Sequence, residues 1–154
     1  MLTACSPWDE AAVRTRLSQW FALGDTMSFA SNGACTAAAF RLVDTQIGSG
    51  MGRAGSVSGA VRLLNARGAM ALDDPETAPD AGLTALINAD RSWGYKMRRA
   101  ALEGRICMDP TTESAFAYAL VNPRAVLAFD AKGTALILLD PDTGVLIVAM
   151  GGAS

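Results

Sequence analysis

Ala125-Val-Leu-Ala-Phe129, Thr134-Ala-Leu-Ile-Leu-Leu139 and Val145-Leu-Ile-Val-Ala-Met150 decide the fold of this chain. Each run has strand length and strand composition, rich in Val, Ile and Leu. The connections, Asp130-Ala-Lys-Gly133 and Asp140-Pro-Asp-Thr-Gly144, are turn material and too short for a parallel crossover, which needs a dozen or more residues. The segment therefore reads as an antiparallel three-stranded meander.

Upstream, Met27 to Ser31 and Cys35 to Val43 flank Asn32-Gly33, which predicts a hairpin closed by a two-residue turn. Thr36, Ala38, Phe40 and Leu42 would then share one side, although Cys35-Thr-Ala-Ala-Ala-Phe40 is also compatible with a helix start. Ser6-Pro7 pairs a capping hydroxyl with a proline at the first helical position, and Val13, Leu17, Trp20 and Phe21 follow at helical spacing until Gly24. Val57, Val61 and Leu64 mark a short helix ended by Gly68. A longer helix is predicted from about Asp80 to Glu103, with Gly104 as its stop. Asp109-Pro110 starts another, holding Phe116 and Leu120. Strands and helices are segregated rather than alternating. The expected fold is α+β: a mainly antiparallel sheet, made of the meander and the N-terminal hairpin, with two or three helices on one face.

Composition bounds the function. At 154 residues and 51% hydrophobic content the chain fits one domain with a normal core, read as residues 7–154 after a short leading segment, 1–6. A net charge of −2 argues against a general nucleic-acid binder, and Lys96, Arg98 and Arg99 read as a solvated helix face. Arg far outnumbers Lys, and Ala is abundant, as in GC-rich bacterial coding sequence. No apolar run approaches the ~20 residues that span a bilayer.

There is no histidine, which removes the commonest general base, the usual nucleophile triads and most zinc sites. No catalytic residue, cofactor or metal is expected. Ser56 and Ser58 sit near glycines without forming G-x-S-x-G, and Asp73-Asp74 beside Pro75 reads as a solvated turn. Asp140 and Asp142 lack the twelve-residue calcium pattern. Asp90 shares a helical stripe with Leu86, Trp93 and Met97, so it should be paired if buried, with Arg41, Arg98 or Arg105 as possible partners. Trp8, Trp20 and Trp93 read as core or core-rim residues.

Gly50-Met51-Gly52-Arg53-Ala54-Gly55 resembles the dinucleotide-binding fingerprint G-x-G-x-x-G, with Asp73 and Asp74 at the distance of its ribose-binding acid. Against it, Arg41-Leu-Val-Asp-Thr-Gln-Ile47 is too polar for a strand buried on both faces. Gly59 and Arg62 stand where apolar packing is wanted, and the meander replaces further βαβ units.

Leu2-Thr3-Ala4-Cys5 resembles the lipobox of bacterial lipoproteins, with the polar Ser6-Pro7-Trp8-Asp9-Glu10 following as the start of an exported domain. The resemblance implies an export leader ahead of Leu2, lipid on Cys5, and residence at the membrane in the periplasm. Trp8 would then lie near the membrane interface. With Cys5 acylated, Cys35 and Cys107 are left as an even pair in an oxidising compartment, where a bridge is expected; in a cytosolic chain they would be buried free thiols. Two functional classes follow. One is a lipid-anchored envelope module, non-catalytic, with another envelope protein as partner. The alternative is a small soluble, cytoplasmic nucleotide-binding protein or enzyme using the Gly50–Gly55 loop.

Overall fold

The structure, a computed structural model, describes residues 8–152. The three apolar runs form β5 (Val126–Asp130), β6 (Ala135–Asp140) and β7 (Val145–Gly151), paired antiparallel in register from Val126↔Leu139 to Asp140↔Val145. The hairpin supplies β1 (Phe21–Ser31) and β2 (Cys35–Ile47), and β2 lies directly beside β7, from Cys35↔Gly151 to Arg41↔Val145. Two further strands, β3 (Arg53–Ala54) and β4 (Ala69–Leu72), complete one sheet in the order β1-β2-β7-β6-β5-β4-β3. β3 runs parallel to β4; the other pairings are antiparallel.

This corrects the expected fold. The architecture is α+β, but the sheet is mixed and has seven strands, and five helices lie on both of its faces. α2 (Val57–Arg67), α3 (Pro79–Ala89), α4 (Arg91–Arg105) and α5 (Pro110–Leu120) cover one face through Leu64, Leu86, Met97 and Phe116. α1 (Glu10–Ser18) covers the other through Val13 and Leu17, joined by Trp20, Phe21 and Met51. Leu136, Leu138 and Ile147 point to the four-helix side; Ile137, Leu146 and Val148 point to the α1 side. A sheet covered on both faces has no reason to alternate, which is why the meander strands are continuously apolar. β3 and β4 escaped the sequence reading because two and four residues of mostly small side chains carry no measurable period.

Element ends depart from expectation in instructive ways. The Ser6-Pro7 start lies outside the described residues; within them α1 is capped by Asp9, whose carboxylate accepts from Ala12 N–H at 2.8 Å. The helix stops at Ser18, so Gly24 sits inside β1 rather than closing a helix. At the hairpin tip Asn32 closes the loop with its side chain, which accepts from the N–H groups of Ala34 (2.8 Å) and Cys35 (3.1 Å). Gly33 does not adopt the positive φ of a type I′ turn. The predicted helix over 80–103 is two helices, broken at Asp90, whose extended backbone (φ −151°) caps α4. Gly104 is no stop either. It is buried within α4, where a Cβ would fall 2.6 Å from that of Ala149, so the missing side chain lets the helix sit directly on β7. Gly94 does the same between α4 and Ile87 of α3.

Candidate functional sites

Cys35 opens β2, and Cys107 lies in the turn between α4 and α5. The two sulfurs are bonded, with Cα atoms 5.8 Å apart, and the cysteines are 72 positions apart in sequence. The bond joins the hairpin tip to the helix layer, and its neighbours repeat the link. Ser28 donates to Asp109 at 2.8 Å, and the Gly152 N–H donates to Glu103 at 3.1 Å. Asp109 also caps α5 by accepting from Thr112 N–H at 2.7 Å. That bond, with the one from the Ser28 hydroxyl, holds its carboxyl below the usual aspartate range. Cys5, with the whole Leu2–Cys5 stretch, lies outside the described residues.

The glycine loop is placed differently from a dinucleotide fingerprint. Gly50 and Met51 belong to a 3₁₀ turn, with Met51 fully buried, and the loop runs into β3 instead of directly into a helix. Only Gly55 and Ser56 occupy a strand-to-helix turn, where Ser56 caps α2 by accepting from Gly59 N–H at 3.2 Å. A cleft of about 480 Å³ opens there, lined by Arg53, Ser56, Arg62 and Arg67 among others. It is the N-terminal end of a parallel β3-α2-β4 unit with no acidic residue in the first helical turn, the setting in which a helix favours anions. Arg53, however, already pairs with Asp73, and Asp74 is occupied by its own loop through Thr77.

The expected ion pair at Asp90 is absent because the residue is a cap: its side chain accepts from Trp93 N–H at 3.1 Å. Trp93 packs edge-on to Phe129 and donates its indole N–H to Asn65 of α2 at 2.8 Å. Trp20 is core on the α1 side.

Two aspartates at the ends of the meander were not foreseen as buried. Asp130 faces α1 and is gripped by Arg16 through two bonds of 2.8 and 2.9 Å. Asp140, at the opposite end, faces α5. One of its oxygens accepts from Asn122 (3.1 Å) and from Asp142 N–H (3.0 Å); the other has no hydrogen-bond partner among the described residues. Arg124 pairs with Asp142 at 2.6 Å rather than with Asp140. Among the described residues no cluster of three or more His, Cys, Asp or Glu is arranged to hold a metal ion. Alternation along β5 and β6 could have signalled both placements, since Asp130 follows Val126 and Ala128 on one face, and Asp140 follows Leu136 and Leu138 on the other. Beside this end an open groove of about 600 Å³ runs along α5, lined by Met27, Pro110, Ala115, Tyr118 and Val145 among others.

No protein-family model, curated protein or solved structure matches the chain. Among the described residues no helix is long and apolar enough to cross a membrane.

Proposed function

We propose that this is a bacterial envelope protein, anchored at the periplasmic membrane surface through lipid on Cys5, whose globular part is a non-catalytic binding or structural module for another envelope protein. The Cys35–Cys107 bond carries the reading. Disulfides form and persist in oxidising compartments and are rare in the cytosol. With that pair joined, Cys5 is the one cysteine left over, and it stands in the lipobox-like Leu2-Thr3-Ala4-Cys5. Binding is favoured over catalysis because the polar groups around the disulfide and the Asp130 end of the sheet are engaged in holding the fold: Asp130 by Arg16, Asp109 by Thr112, Glu103 by Arg99 and Gly152.

Expression of the full reading frame in a bacterium, followed by mass spectrometry of the N-terminal peptide, tests this. The expected result is a diacylglyceryl- or triacyl-modified Cys5 and a membrane-bound protein that Cys5→Ser releases. An unmodified cytoplasmic protein beginning at Met1 would overturn it.

The cleft at the start of α2 supports a second reading, a nucleotide- or phosphate-binding domain using the Gly50–Gly55 loop. Trp93 bonds α2 through Asn65, so its fluorescence should report ligand arriving at that helix. A saturable change on titrating ATP or NAD, lost in Arg62→Ala, would favour this reading over the first.

A further inference from the structure

α4 carries five of the chain's 13 basic residues, Arg91, Lys96, Arg98, Arg99 and Arg105, against a single acid, Glu103. In a chain of net charge −2 that is a strong local excess. The buried side of the helix, Gly94, Met97, Ala101 and Gly104, is pressed onto β7 and α3. The opposite side is a stripe at spacings of four and three: Arg91, Tyr95, Arg98, Leu102, Arg105. Tyr95 is 52% exposed and Leu102 55%, and Ile106 beside them reaches 79%. Glu103 answers Arg99, and Lys96 lies over the Trp93 ring, but Arg91 and Arg98 meet no carboxylate among the described residues. Tyr95, Leu102 and Ile106 thus leave apolar surface between the charges. Tyr and Arg together are the pair that interface centres favour.

We infer that the outward face of α4 docks an acidic, amphipathic segment of another protein, carboxylates meeting Arg91 and Arg98 while apolar side chains cover Tyr95 and Leu102. The choice of a protein over an anionic bilayer rests on the lipid-anchored reading of Cys5. α1 and α4 lie on opposite faces of the sheet, and packed layers are ~10 Å apart, which separates the two helix axes by ~20 Å. Only Ser6 and Pro7 separate Cys5 from Trp8, three Cα–Cα steps that extend no farther than ~11 Å. A tether that short keeps the anchor on the α1 side of the sheet, whereas the outward face of α4 lies beyond the other side.

The test uses the full chain, lipidated and seated on vesicles, and its soluble Cys5→Ser form. The probe is a synthetic helical peptide with Glu and Leu alternating at helical spacing. Both forms should bind it with affinities within twofold of each other, on phosphatidylcholine and on phosphatidylglycerol vesicles alike. Arg91→Glu with Arg98→Glu should weaken binding at least tenfold and flatten its salt dependence, because rim charges steer association. Tyr95→Ser with Leu102→Ser should weaken it with the salt dependence intact. Arg41→Glu with Lys132→Glu, both exposed and off α4, is the control and should change binding less than twofold, with near-UV circular dichroism unchanged in each variant. Equal losses in the control, or none in the α4 variants, would overturn the assignment. Peptide binding blocked on phosphatidylglycerol but not on phosphatidylcholine would give the face to the membrane instead. Failure of the chain to stay on vesicles at all is read separately, by sedimentation, and defeats the anchor reading alone.

Discussion

The two ends of the β5–β6–β7 meander are built from the same turn and secured in opposite ways. Asp130 and Asp140 each end a strand, each accept from the N–H two residues on, and each are 1% exposed. At the Asp130 end the carboxylate meets a guanidinium on both oxygens, and the Cys35–Cys107 bond and the Glu103–Gly152 contact lie at the same end of the sheet, beside Met150 and Gly151. At the Asp140 end the carboxylate meets one amide, leaves an oxygen unpartnered, and sits next to an open groove. A buried charge satisfied on both oxygens is part of the scaffold; a buried charge left half-satisfied is a place where structure has been held at some expense. One end is clasped and the other is open to exchange.

The largest expected effect is at the clasped end. Replacing both Cys35 and Cys107 by Ser frees a loop of about 70 residues in the unfolded chain, which the loop-entropy model values at about 4 kcal/mol. Thermal unfolding should show a Tm lower by about 10 °C or more. A change of under two degrees would mean that the hairpin tip is held by its hydrogen bonds alone. Next comes Arg16→Met, which leaves Asp130 buried without a cation. Arg16 is itself 25% exposed, so the loss should fall below the ~3–5 kcal/mol of a fully buried pair, at about 2 kcal/mol by urea unfolding.

How much of this the sequence discloses depends on how many residues share a pattern. The meander and the Asp109-Pro110 helix start are legible because six-residue apolar runs and a cap followed by proline are dense signals. β4 is four residues and β3 two, and their place in the sheet depends on a parallel pairing with no local signature. The break at Asp90 was hidden by its own stripe, since a cap and a buried polar residue occupy the same helical position in sequence. The second covered face was legible in principle: Ala135-Leu-Ile-Leu-Leu139 has no polar side to offer water. For the sites, Cys35 and Cys107 could be paired by counting, whereas Arg16 with Asp130 spans 114 positions and only the packing of α1 brings them together. Spacing alone lines up Arg91 and Arg98 on α4, but it does not disclose that Tyr95 and Leu102 between and beside them stay uncovered.

The matched pair Asp130→Asn and Asp140→Asn sharpens the contrast directly. Asp130→Asn removes the charge that Arg16 grips and should lower stability by about 1–2 kcal/mol. Asp140→Asn removes a charge that no cation touches and keeps the oxygen that serves Asn122 and Asp142. It should be neutral within about 0.5 kcal/mol, or slightly stabilising. Equal losses at both positions would erase the distinction between the ends.

The smallest effect concerns acid. Glu103 has its carboxyl held below the ordinary glutamate value by the Arg99 guanidinium at 2.8 Å, aided by the Gly152 N–H, with burial opposing. Its folded pKa is thus lower than its unfolded one, near 4.5. A depressed carboxyl contributes stability that is fully present above the unfolded pKa and disappears as pH falls through the folded value. Glu103→Gln should therefore lower Tm slightly at pH 7 and converge with the parent as pH falls through the lowered folded value. Because an exposed i,i+4 pair is worth only a few tenths of a kcal/mol, the gap at pH 7 should be about a degree or two, narrower than for any change at the disulfide. A gap that persists unchanged in acid would mean that the ionised carboxylate is not what Glu103 contributes, and would remove it from the electrostatic part of the clasp.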